Sequence, residues 1–160
     1  MQKITLLCVG KPADFYAAGI REYEKRLGPL CRFTAKELAE EPLQGKNVSE
    51  AQVAAALRRE GERILGSLPK KSRLVALCVE GRQMDSEGFE KLLSSCAMEG
   101  TGELVFAIGS SHGLSREVKE RAERLLSLSA MTLPHQLARL FLTEQIYRAF
   151  QIRAGGKYHK

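Results

Sequence analysis

Apolar residues along the chain fall into short strand-length runs that alternate with stretches of helical spacing. Ile4 to Val9 is an apolar run closed by Gly10-Lys11-Pro12, and Phe15 to Leu27 carries helical periodicity until Gly28-Pro29 stops it. A less distinct strand is expected around Arg32 to Lys36, followed by a polar loop from Glu40 to Asn47 that contains Pro42 and Gly45. Ser49-Glu50-Ala51-Gln52 has the S-x-x-Q form of a capping box, in which side chains at each end of the first turn satisfy the other's backbone N–H. A helix should therefore start there and run to about Ser67, closed by Leu68-Pro69-Lys70-Lys71.

The second half repeats the alternation. Arg73 to Val79 is expected as the third strand, continuously apolar from Leu74 onward, as in a strand covered on both faces in a parallel sheet. Ser86 to Met98 reads as helix, Glu103 to Ile108 as a buried strand, and Ser115 as the cap of a helix through about Arg124. Leu126 to Met131 is expected to form a last short strand, and His135 to Ile152 a long helix. Strands alternating with helices give an α/β fold with a mostly parallel sheet and helices on both faces. No repeat, low-complexity segment or linker divides it, so residues 1–160 are expected to form a single domain. On the last helix, Leu137, Leu140, Phe141, Ile146 and Phe150 supply more apolar surface than one buried face requires. The surplus points to a subunit interface and hence a homodimer.

Composition adds limits. With 44% hydrophobic and 28% charged residues the chain is ordinary for a globular protein. No apolar run approaches the roughly 20 residues needed to cross a bilayer, and the opening MQKITLLCVGKPADF has too short an apolar core for a secretory signal. No membrane association and a cytoplasmic location are expected. Cys8, Cys31, Cys78 and Cys96 are widely spaced, with no CxxC or Cys/His pattern, so reduced, structural thiols and no metal site are expected. The formal net charge is +6, and the segment from His135 onward holds Arg139, Arg148, Arg153, Lys157 and Lys160 against Glu144, a net +4. A basic end attracts phosphate backbones; taken alone, it fits a solvated helix end equally well.

Three segments are candidates for chemistry. Gly109-Ser110-Ser111-His112-Gly113-Leu114-Ser115 leaves a buried strand and enters a helix, the place where open α/β sheets bind ligands. It has neither the GK[ST] of a P-loop nor GxGxxG, and His112 is expected to be an exposed, uncommitted imidazole. Leu77-Cys78-Val79-Glu80-Gly81 ends the third strand, and Leu128-Ser129-Ala130-Met131-Thr132-Leu133 ends the fifth with mostly small side chains. Past Pro134-His135 and the long helix, the chain closes on Lys157-Tyr158-His159-Lys160.

Taken in this order, FAIGSSHGLS, TLPH and the terminal YHK resemble the SPOUT class of methyltransferases, most closely the ribosomal RNA large subunit methyltransferase H family. The resemblance spans nearly the whole chain. It implies a C-terminal trefoil knot whose three segments hold S-adenosylmethionine, with cofactor positions at Leu77, Gly109 and Leu128, Ser129, Ala130, Met131, Thr132 and Leu133. Relatives often carry a second glycine where this chain has Ser110. It also implies methylation of N3 of a pseudouridine in 23S rRNA, with the ribosome as partner. An imide nitrogen must lose its proton, so a base or stabilising cations should lie close. Tyr158, His159 and Arg139 are the candidates, the first two flanked by Lys157 and Lys160. Arg139 and Arg148 stand nine residues apart and point in different directions, one expected to meet RNA and the other to serve the dimer. Two other classes stay open: a non-enzymatic RNA- or ribosome-binding factor, which has no use for S-adenosylmethionine, and a small nucleotide-phosphate enzyme with an anion site at the Gly109–Ser115 loop.

Overall fold

The computed structural model describes residues 1–100 and 102–160. Its elements, in chain order, are β1 (Lys3–Val9), α1 (Asp14–Leu27), β2 (Arg32–Leu38), α2 (Glu50–Gly66), β3 (Ser72–Arg82), α3 (Ser86–Met98), β4 (Glu103–Ile108), α4 (Arg116–Arg121), β5 (Arg124–Leu126) and α5 (His135–Arg153). The strands form one sheet in the order β2-β1-β4-β3-β5, and every pairing is parallel.

The continuous apolar strands are explained by what covers them. Side chains alternate across a sheet, and here both sides are buried. On one face, Ile4, Leu6, Cys8, Leu104, Phe106 and Ile108 pack with α1, α3 and α5 through Leu27, Phe89, Leu93, Leu142 and Ile146. On the other face, Leu7, Val9, Leu74, Ala76, Val105 and Ala107 meet Ile64 of α2 and Val118 of α4. Thr5, the buried polar residue of β1, gives its hydroxyl to the Glu103 carboxylate at the start of β4. The buried thiols are consistent with structural roles: loss of hydration pushes Cys8 up to about 12 and Cys31 up to about 11.

The capping box at Ser49 and Gln52 forms in both directions, with Gln52 N–H donating to Ser49 Oγ at 3.1 Å and Ser49 N–H to Gln52 Oε1 at 2.8 Å. β2 continues two residues beyond the expected Lys36. Two boundaries differ more. α4 ends at Arg121, because Ala122 turns to extended backbone and Glu123 N–H bonds Leu74 O in the sheet. The final strand lies at Arg124–Leu126 rather than Leu126–Met131. Ser127 N–H reaches Arg82 O, and beyond it the chain bonds to itself: Ser127 Oγ to Ser129 O at 3.0 Å and Met131 N–H to Ser129 Oγ at 3.0 Å. Serine side chains that bond neighbouring backbone compete with a ladder.

α5 also corrects one expectation. Leu142, Ile146, Ala149 and Phe150 follow i, i+4, i+7, i+8 spacing and all enter the core, so Phe150 belongs to the fold and not to an outer face. Phe141 stays 39% exposed.

Candidate active site

Beyond the carboxyl ends of β3, β4 and β5 lies a cavity of about 710 Å³, within the usual range for small-molecule sites. Its walls are the three segments singled out by sequence. β3 contributes Leu77, Cys78, Val79 and Glu80; the loop after β4 contributes Gly109 to Leu114; the stretch after β5 contributes Ser127 to Ser129 and Met131 to Pro134. Of the eight expected cofactor positions, seven line the cavity, and Ala130 sits in the same stretch without lining it.

Tight backbone contacts hold these walls. Gly109 has no room for a side chain, since a Cβ there would lie closer than 3.0 Å to the carbonyl of Gly113. That approach is made by a turn in which Gly113 N–H donates to Ser110 O at 2.9 Å, with Gly113 in the left-handed region at φ 87°. The loop then enters α4, whose Val118 N–H is capped by Ser115 Oγ at 3.3 Å. On the other side, β3 arches round the end of β5, so that Leu126 pairs with both Leu77 and Arg82 across a register shift. Gly81 makes the arch possible: a Cβ there would sit 2.6 Å from the Leu126 nitrogen.

The cavity's acid and base neutralise each other. Glu80 Oε1 accepts from Lys119 Nζ at 2.5 Å, and that hydrogen bond holds its carboxyl below the usual range. Burial raises the Cys78 thiol, with the Glu80 charge acting in the same direction, so it stays protonated and unreactive. Apolar side chains cover much of the remaining wall. Among the described residues, no group of three or more His, Cys, Asp or Glu could hold a metal ion. Among the described residues, no helix is long and apolar enough to cross a membrane.

The candidates on α5 and the tail lie elsewhere. Arg139 is only 7% exposed and points into the body of the chain. Its guanidinium bonds Glu37 Oε1 at 2.9 Å and lies 3.6 Å from Glu24 Oε1, tying α5 to β2 and α1. Arg148 is engaged by Glu144 at 2.9 and 2.6 Å through Nε and a terminal nitrogen. Tyr158 donates its hydroxyl to the same Glu144 at 3.1 Å and lies 3.3 Å from the Tyr23 hydroxyl. Its ring meets Tyr147 edge-on, and the Arg148 guanidinium stands over it. Burial, the Tyr23 contact and the Glu144 charge raise the phenol well above its ordinary value. No tail residue lines the cavity; Glu144 is nine residues, or about 13 Å, along α5 from His135 at the cavity wall.

Several wall residues lie outside the three candidate segments: Ile108, Lys119, Leu126, Ser127, His135 and Ala138. His135 carried a signal, as the last residue of the TLPH element. Lys119 carried none, because its partner Glu80 is 39 residues away in the chain.

Comparison with known proteins bears on the same residues. A family model described as "Predicted SPOUT methyltransferase" matches residues 2–159. Proteins named ribosomal RNA large subunit methyltransferase H, from Streptococcus mutans and Streptococcus thermophilus, are each 46% identical over 159 residues, covering 99% of this chain and 99% of theirs. Among solved structures, a probable methyltransferase from Bordetella pertussis superposes with a TM-score of 0.58 at 13% identity, covering 93% of this chain and 95% of that one. A probable methylase family protein from Haemophilus influenzae gives 0.56 at 12% identity, covering 96% and 67%. At such identities the two structures speak for the fold alone.

Proposed function

The chain belongs to the SPOUT methyltransferase family, and on that premise we propose that it transfers a methyl group from S-adenosylmethionine to N3 of a pseudouridine in 23S rRNA on the assembled ribosome. The observation that carries the cofactor half is the cavity wall: backbone, apolar side chains and small hydroxyls, with two histidines and one self-neutralised ion pair. Such a wall suits an adenosine whose polar edge meets backbone groups and whose sulfonium needs no anionic clamp. It suits a triphosphate poorly, since Lys119 is already committed to Glu80 and the first turn of α4 is already capped by Ser115. When bound, S-adenosylmethionine supplies a methyl group activated by its positively charged sulfur. Leu77, Gly109 and Leu128 to Leu133 bind and cover it, and the arch of β3 round β5 is the part of the chain to which we assign the knot.

The acceptor half is completed by a second copy of the chain in a cytoplasmic homodimer. Tyr158 is tethered to Glu144, away from the cavity of its own chain, while Val79, Met131 and Phe141 are exposed apolar side chains, the first two on the cavity wall. Exposed apolar surface beside a site favours a covering partner. In this arrangement His159 of the second copy takes the N3 proton, and Lys157 and Lys160 stabilise the anion left behind. Tyr158, kept protonated and bonded to Glu144, anchors the tail that presents His159. Arg139 holds α5 in place from behind.

Calorimetry with S-adenosylmethionine, S-adenosylhomocysteine and ATP, with methyl incorporation into undermethylated ribosomes and into purified rRNA, tests this function. Binding of the two adenosyl ligands but not ATP, and incorporation into ribosomes, is expected. Preference for ATP would favour a nucleotide-phosphate enzyme, and no binding of any of the three would favour a non-enzymatic RNA-binding factor.

A further inference from the structure

Glu60 is a carboxylate that nothing in the proposed chemistry uses, yet it is only 3% exposed. It stands on α2, on the far side of the Gly109–Ser115 loop from the cofactor cavity. Its Oε1 accepts the Ser110 hydroxyl at 2.8 Å, and its Oε2 accepts the Glu41 backbone N–H at 2.9 Å. The next residue, Gly61, serves the other end of the loop: a Cβ there would collide with the Ser115 side chain that caps α4. The pair Glu60-Gly61 thus seats the loop at both of its ends.

The seat matters because of what flanks the loop. A second cavity, of about 440 Å³, opens behind it between Glu41, Leu43, Leu57 and Glu60, and Ser110, Ser111 and His112 line both cavities. The turn is therefore a thin wall with open space on either face, and packing alone does not fix it. A hydrogen bond from a hydroxyl to a buried carboxylate is among the stronger kinds, and this one ties the wall to a long helix.

We propose that Glu60 is a positioning residue for the cofactor: through Ser110 it holds the loop in its binding geometry before the ligand arrives, so that ordering the loop costs nothing on binding. The inference rests on the cofactor assignment above, and its test separates the two. Calorimetry of the full-length protein with S-adenosylhomocysteine should show affinity falling about tenfold in Ser110→Ala and in Glu60→Ala. The double variant should be no worse than the weaker-binding single, because either substitution alone already removes the Ser110–Glu60 bond. In turnover, KM for S-adenosylmethionine should rise while kcat at saturation stays within about twofold. Glu60→Gln can accept from the Glu41 N–H through its oxygen and donate its amide N–H to the Ser110 hydroxyl oxygen, so it should recover most of the affinity that Glu60→Ala loses.

Unchanged affinity in Ser110→Ala, losses that multiply in the double variant, or a fall in Tm without a change in KM in Glu60→Ala would each overturn the inference and leave Glu60 a structural residue. If Glu60→Ala does not fold, Ser110→Ala, which removes a single hydroxyl, decides alone. A wild-type protein that fails to bind S-adenosylhomocysteine would instead overturn the cofactor assignment.

Discussion

Replacing Gly109 with alanine adds one methyl group at the point where the loop after β4 closes on itself. Any Cβ there would lie closer than 3.0 Å to the carbonyl oxygen and carbon of Gly113, and 3.0 Å from the Leu114 nitrogen. These are backbone atoms of a turn held by the Gly113-to-Ser110 hydrogen bond, so no side chain can swing away to relieve the overlap. Overpacking of this kind costs about 1–3 kcal/mol. For a chain of this size that corresponds to a fall in Tm of roughly 3–10 °C. Because the displaced turn is a wall of the cavity, affinity for S-adenosylhomocysteine should fall by about tenfold or more together with Tm. Gly113→Ala is the control: at φ 87° with open space around it, it carries a conformational cost of about 1 kcal/mol and no overlap. Thermal unfolding and calorimetry on the two variants check the reasoning. A Gly109→Ala protein with wild-type Tm and wild-type affinity would refute it, and one with wild-type Tm that no longer binds would show that the new methyl meets the ligand instead of Gly113.

Sedimentation at micromolar concentration should give one species of twice the chain mass, and Phe141→Glu should shift it toward monomer with little change in Tm; a wild-type monomer would remove the dimer. Phe150→Ala, by contrast, should lower stability by about 3–5 kcal/mol, because its ring is core. Deleting Lys157 to Lys160 should spare cofactor binding and abolish most methyl transfer, and His159→Ala should reproduce that loss with partial recovery at higher pH if the imidazole takes the imide proton; full activity in the deletion protein would leave the tail a solvated end. Arg139→Ala strands Glu24 and Glu37 without their cation and should cost about 3–5 kcal/mol by chemical denaturation, while unchanged stability with lost turnover would return Arg139 to the reaction.

Elements whose signals are local were legible in the chain. The capping box placed the start of α2, and the apolar runs placed β1, β3 and β4, with the conclusion for β3 that both its faces are covered. The three strand ends singled out in the sequence line one cavity, because a parallel sheet brings its carboxyl ends to one edge whatever the strand order. The errors lie where a distant partner set the outcome. Leu126 to Met131 has the composition of a strand, but Arg82 and the chain's own serines claim its backbone. Phe141 and Phe150 are indistinguishable as letters, and only the direction of α5 against the sheet sends one inward.

Periodicity, capping and turn residues act within one or two turns of chain, so the sequence by itself determined the α/β alternation, the buried strands and the segments from which the site is made. Pairings across the fold are different, because a carboxylate and its cation carry no mark of each other along the chain. Only the tertiary structure decided that Arg139 lies between Glu24 and Glu37, that Lys119 is spent on Glu80, that Tyr158 is moored to Glu144 and that Glu60 stands behind the Gly109–Ser115 loop. Each of these contacts joins residues separated by 14 to 115 positions, and it forms because the sheet and its two helical layers have already fixed where those residues stand.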